Sequence, residues 1–110
     1  MNNKTYSDAI REALWEEMER DENVYLIGED IGLGGGAFYI TKGFHEKFGD
    51  LRVVDTPLSE AGFTGSAIGS SLAGLRPVVE FQFADFVTES FKMIVDFAAG
   101  NFFRKMGQVP

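Results

Sequence analysis

The stretch Asp55–Gly65, "DTPLSEAGFTG", decides how the chain is read. On its left stands "LRVV", a β-branched run of the kind that forms strands, closed by Pro57, which disfavours a continuing regular element. On its right stands "SEAGFTGSAIGSSLAGL", a helical segment poor in strong helix formers. Gly62, Gly65, Gly69 and Gly74 each cost about 1 kcal/mol relative to alanine in an exposed helix. Such a helix persists only when it packs closely on something, and a sheet is the natural surface. Gly65 and Gly69 are four apart, on one helical face, and read as packing positions. Glu60 stands at the junction, a carboxyl between a buried strand and a run of small residues.

Working outward, the same alternation repeats. "TYSDAIREALWEEMERD" spaces Tyr6, Ala9, Ile10, Ala13, Leu14 and Met18 along one helical face, with Thr5 as N-cap and Asp8 three residues on. "NVYLIG" reads as a buried strand ending at Gly28. "EDIGLGGGAF" is a loop, and "TKGFHEKFG" a short helix stopped by Gly49. "RPVVEFQF" is a third strand, and "ADFVTESFKMIVDFAAGNFFRKM" a long helix with a phenylalanine-rich buried face. Strands alternating with helices predict an α/β fold, a parallel sheet flanked by helices on both sides. The next element in this alternation would be another strand, so the domain is expected to be incomplete at its C-terminus.

Bulk properties narrow the function. The chain has 110 residues, 45% hydrophobic and 14% aromatic, enough for one small domain with a real core. A net charge of -7 argues against nucleic acid or an anionic membrane as partner, since both need a basic face. There is no cysteine, so neither a disulfide framework nor a thiolate metal site is expected. "MNNKTYSDAI" has the pattern of neither a signal peptide nor a transit peptide, and a cytoplasmic location is the default expectation.

Individual motifs weigh less. Gly32, Gly34, Gly35 and Gly36 lack the lysine and serine or threonine of a phosphate loop and read as a flexible surface loop. His45 has no second histidine for a metal site and reads as a surface residue. Ligands of open α/β sheets bind at the carboxyl ends of the strands. Three such ends present Glu29 with Asp30, Glu60, and the segment Gln82–Phe86 toward one edge, the best physical sign of a site.

The blocks "LIGEDIG", "GGAF", "TKG" and "RVVDTPLSEAGFTGSAIGSSLAGLRPVVEFQFADF" resemble the beta subunit of thiamine-diphosphate-dependent 2-oxo acid dehydrogenases. These are the first components of the pyruvate, branched-chain and acetoin dehydrogenase complexes. The resemblance runs from about Thr5 to the last residue and implies that residues 1–110 are the N-terminal part of a transketolase-like, thiamine pyrimidine-binding domain. It implies that Glu60 is the catalytic carboxyl that hydrogen-bonds a ring nitrogen of the aminopyrimidine. Protonating that ring favours its imino tautomer, whose nitrogen takes the proton from the thiazolium carbon. Burial among Ala61, Gly62 and Phe63 would suit Glu60 to this work by desolvation.

By the same resemblance Glu29, Leu58, Ser59, Gln82 and Phe86 contact the cofactor, Phe86 as an aromatic wall. Phe83, Ala84, Asp85 and Phe86 lie near the substrate. The Gly-Asp-Gly motif for the diphosphate and magnesium is absent and belongs to the alpha subunit in that family, so no metal ligand is expected here. Implied partners are the alpha subunit, in a heterotetramer, and a lipoyl-bearing acyltransferase that takes the acyl group. "EFQFADF" leans the reading toward a 2-oxoisovalerate-type substrate, with pyruvate and acetoin types, or a non-catalytic interaction domain, as alternatives.

Overall fold

The computed structural model describes residues 3–110. Helix α1 (Tyr6–Arg20) leads into strand β1 (Val24–Gly28), a long loop, and helix α2 (Phe44–Phe48). Strand β2 (Val53–Asp55), helix α3 (Glu60–Leu72) and strand β3 (Arg76–Glu80) follow. The strands form a parallel sheet in the order β2-β1-β3, with Gly28 in register with both Asp55 and Glu80.

β1 lies in the middle and is buried along its whole length. Its side chains alternate between two cores, as the pleat requires. Val24 and Leu26 pack with Met18, Ile31, Phe44 and Val53 on the side of α1 and α2. Tyr25 and Ile27 pack with Phe63 and Ala67 of α3 on the opposite face. The helices therefore cover both faces, as the alternation predicted.

Local chemistry explains where the elements begin and end. Thr5 and Asp8 form a reciprocal capping box at the start of α1, a device worth about 1 kcal/mol. Arg52 binds the other end: its guanidinium donates to the carbonyls of Met18 (2.8 Å), Asp21 (3.0 Å) and Val24 (2.7 Å). Gly49 stops α2 in a positive-φ conformation (82°) that glycine alone adopts freely. α3 is tied down by the Tyr25 hydroxyl against Ser70 (2.7 Å) and by Thr64 against Ser90 (2.9 Å).

Four expectations need correction. In α1 only Met18 is fully buried; Tyr6 is 84% exposed, and Ala9 and Ala13 also face out. The helix instead packs Trp15 edge-on to Phe44 and Phe48. The strands are shorter than the apolar runs, and β3 stops at Glu80 instead of reaching Phe83.

The third correction concerns the long C-terminal helix. It begins as a 3₁₀ segment (Ala84–Ser90), widens into a π-helical stretch (Met93–Ala99), and ends as α4 (Gly100–Arg104). Its phenylalanine face is largely outside: Phe91, Phe97, Phe102 and Phe103 are all exposed, the last by 85%. The fourth concerns the glycines of α3. A Cβ on Gly65 would touch the Met93 sulfur at 3.4 Å, so this glycine does pack closely, whereas Gly69 has nothing within 4 Å.

Candidate functional site

All three strands point their carboxyl ends the same way, and the loops leaving them build the site. β1 delivers Glu29, which is 7% exposed although it is a carboxyl. Burial raises its pKa above the ordinary glutamate value; a hydrogen bond with Glu60 and the negative charges of Glu60 and Asp30 push it the same way. Glu60 is the first residue of α3 and is half-buried. The sequence reading placed the buried carboxyl at Glu60; the structure buries Glu29 and sets Glu60 against it at the helix entrance. Both acids come to one place because β1 and α3 share a face of the sheet.

The loop after β1 is fixed at its root. Gly36 N–H donates to the Asp30 carbonyl (2.8 Å), and Thr41 Oγ1 donates to the Ile31 carbonyl (2.7 Å). Gly32 N–H donates to Asp55 Oδ1 at the end of β2 (2.7 Å). Gln82 Nε2 donates to Asp30 Oδ2 (3.3 Å), joining the ends of β1 and β3. The glycine run is thus a closed loop with internal bonds, with Gly35 and Gly36 at positive φ, not a phosphate cradle opening a helix.

The remaining predicted residues are spread more widely: Gln82 and Ala84 line a cavity on the α1 side of the sheet together with Glu80. Phe83 meets Phe38 and Phe86 edge-on, with ring centroids 5.9 and 5.7 Å away, and Phe86 is half-buried, as an aromatic wall would be. Ala84 and Asp85 are exposed at the start of the 3₁₀ segment. Leu58 and Ser59 are exposed, and the Ser59 side chain makes no capping bond to α3. His45 sits on α2 beside Asp50, away from these strand ends.

Two residues escaped the sequence reading. Glu80 ends β3 on the opposite face from Glu60, lining a cavity of about 740 Å³ with Leu26, Ile31 and Thr41. Its Oε2 is buried without a hydrogen-bond partner among the described residues, and burial raises its pKa. Asp55, opposite Gly28 in register, is the second. In both cases the signal was an acid closing an apolar strand, Val53-Val54-Asp55 and Val78-Val79-Glu80.

Residues 2–107 match the transketolase pyrimidine-binding domain family. The chain belongs to that family. Among curated relatives, the pyruvate dehydrogenase E1 component subunit beta of Chaetosphaeridium globosum is 52% identical over 81% of this chain and 27% of its own length. The 2-oxoisovalerate dehydrogenase subunit beta of Bacillus subtilis is 48% identical over 90% of this chain and 30% of its own. The human mitochondrial pyruvate dehydrogenase E1 component subunit beta is 41% identical over 96% and 30% respectively. The chain thus spans less than a third of the length of these relatives.

Proposed function

We propose that this chain is part of the beta subunit of a 2-oxo acid dehydrogenase and that its strand ends receive the aminopyrimidine of thiamine diphosphate. The observation that carries the reading is the paired carboxyls of Glu29 and Glu60 within a domain of the pyrimidine-binding family. A buried acid of raised pKa beside a second acid is the donor set that a ring nitrogen needs, since one proton must be given and recovered there. Thr56 Oγ1, buried at the end of β2 without a partner, is a further polar group the site can use.

When bound, the cofactor supplies the carbon nucleophile and the electron sink for decarboxylation. The protein's part is proton handling and enclosure. Glu60, at the entrance of α3, presents its carboxyl to the ring nitrogen, and Glu29 behind it keeps a proton available in the pair. Phe86, with Phe83 against it, forms the apolar wall that limits water near the ring. Gln82 is engaged with Asp30, so it holds the floor of the pocket as much as any ligand. Phe83, Ala84 and Asp85 face the side where the 2-oxo acid would enter.

The diphosphate and its magnesium ion are assigned to an alpha subunit, and the acyl group to a lipoyl-bearing acyltransferase. For the substrate we favour a branched-chain 2-oxo acid of the 2-oxoisovalerate type. Pyruvate is the second reading, favoured by the relative at 52% identity. The test is turnover by the full-length subunit assembled with its alpha partner, on both acids, before and after removal of thiamine diphosphate. Turnover of one acid that disappears with the cofactor and returns on its addition is expected. Turnover that does not need the cofactor, or of neither acid, overturns the reading.

A further inference from the structure

The two glutamates reach one place from two different chain segments, and a side chain of one segment also bonds the backbone of the other. Glu29 opens the loop after β1, and Gly32 lies three residues on. Glu60 opens α3, and Asp55 lies five residues before it. Gly32 N–H donates to Asp55 Oδ1 at 2.7 Å. The bond is at the root of the loop, not its tip: Ile31 beside it is fully buried, Gly32 is buried too, and the Thr41 hydroxyl donates to the Ile31 carbonyl. Asp55 itself is anchored by the ladder, opposite Gly28, with Thr56 N–H donating to the Gly28 carbonyl at 3.0 Å.

Glycine is required at position 32 for this contact. A Cβ there would run into the Asp55 carboxyl, so any other residue would push the carboxyl off the amide. The spacing of two acids that share a hydrogen bond is sensitive to small displacements, and two like charges would otherwise drive the segments apart. Among the described residues two side-chain bonds tie this loop to the neighbouring strand ends: Asp55 to Gly32, part-buried although Asp55 is itself exposed, and Gln82 to Asp30, longer at 3.3 Å and exposed.

We infer that Asp55 is a positioning residue, whose carboxyl, bonded to the Gly32 amide, sets the separation of Glu29 and Glu60. It touches neither cofactor nor substrate and acts through the two glutamates. The inference rests on the proposed role of that pair.

The experiment uses the full-length subunit assembled with its alpha partner, with Asp55→Ala, Asp55→Asn and Gly32→Ala compared with the parent and with Glu60→Gln. Asp55→Ala should lower kcat by about ten- to a hundred-fold, the scale of a small misplacement of reacting groups, with KM for the 2-oxo acid changed less than threefold or so. Asp55→Asn keeps an acceptor oxygen and should restore most of kcat. Gly32→Ala, which leaves Asp55 in place but blocks the bond, should reproduce the loss. Hydrogen exchange followed by mass spectrometry gives a readout independent of turnover. Amides of the Ile31–Gly36 segment should exchange at least tenfold or so faster in Asp55→Ala and Gly32→Ala but not in Asp55→Asn, because the protecting bond is gone.

Parent-like kcat and exchange in Asp55→Ala would overturn the inference. So would equal loss in Asp55→Ala and Asp55→Asn together with a common fall in melting temperature, which would mean a structural role only. If Glu60→Gln itself turns over normally, the proposed function fails instead, and the exchange data alone then report whether Asp55 holds the loop.

Discussion

Glu29 and Glu80 leave adjacent strands at the same end of the sheet, and burial raises the pKa of both. They differ in company. Glu29 points to the α3 side, where Glu60 can share its proton. Glu80 points to the α1 side, under the glycine loop, with Gly36 and Thr41 close by and no partner among the described residues for its buried oxygen. A raised pKa is therefore common to both acids; what sets the proposed pair apart is the second acid within reach.

The sharpest way to break that contrast is to remove the second acid. Glu60→Gln in the assembled enzyme should lower turnover by about a hundred- to ten-thousand-fold, the range for loss of one proton-transfer group, while the circular dichroism spectrum is unchanged. Near-normal turnover at saturating cofactor would place the proton chemistry elsewhere.

The next effect is on stability. Gly65→Leu drives a branched side chain into Met93 on the α3 side, and overpacking of this kind costs about 1–3 kcal/mol. A melting temperature equal to that of the parent would mean that α3 is not closely packed where Glu60 is mounted.

Glu80→Gln should behave in the opposite way to any change at Glu60: turnover retained, and stability raised at neutral pH because the half-buried acid no longer has to ionise in the fold. The sign of its pH dependence follows from linkage. Glu80 binds its proton more tightly folded than unfolded, so it costs nothing below its unfolded pKa near 4.5. As pH rises above that value the unfolded chain releases its proton first, and stability falls until the folded group also ionises. The advantage of Glu80→Gln in thermal melts should therefore grow from pH 4 toward neutrality. A pH-independent difference would mean that Glu80 finds a partner in the assembled protein.

The smallest effect is expected at Gly69. With open space around it, Gly69→Ala gains helix propensity and should raise stability by about 0.5–1 kcal/mol in urea unfolding. A loss would restore the packing role that its spacing from Gly65 suggested.

That pair of glycines shows what the sequence could and could not convey. Spacing put Gly65 and Gly69 on one face, but whether a neighbour covers that face depends on Met93, almost thirty residues away in the chain. Periodicity found every helix and strand of the α/β order, because each has a face that must be buried. It failed at the C-terminal helix, where an expected buried stripe became a 3₁₀ and π-helical run with its phenylalanines exposed. That Glu29, Glu60 and Gln82 would leave the strands at one edge was legible, because the alternation fixes which ends of a parallel sheet coincide. Glu80 and Asp55 were not, because an acid at the end of an apolar run looks the same whether it bonds an amide, as Asp55 does, or stays alone.

The central position of β1 also has a kinetic side. It is the first strand in the chain, and its neighbours begin only at Val53 and Arg76. During synthesis this fully apolar segment emerges without either pairing partner, and parallel pairing cannot start until the intervening loop and helix are made. The strand that anchors the finished sheet is thus the most exposed to misassociation while the chain is incomplete.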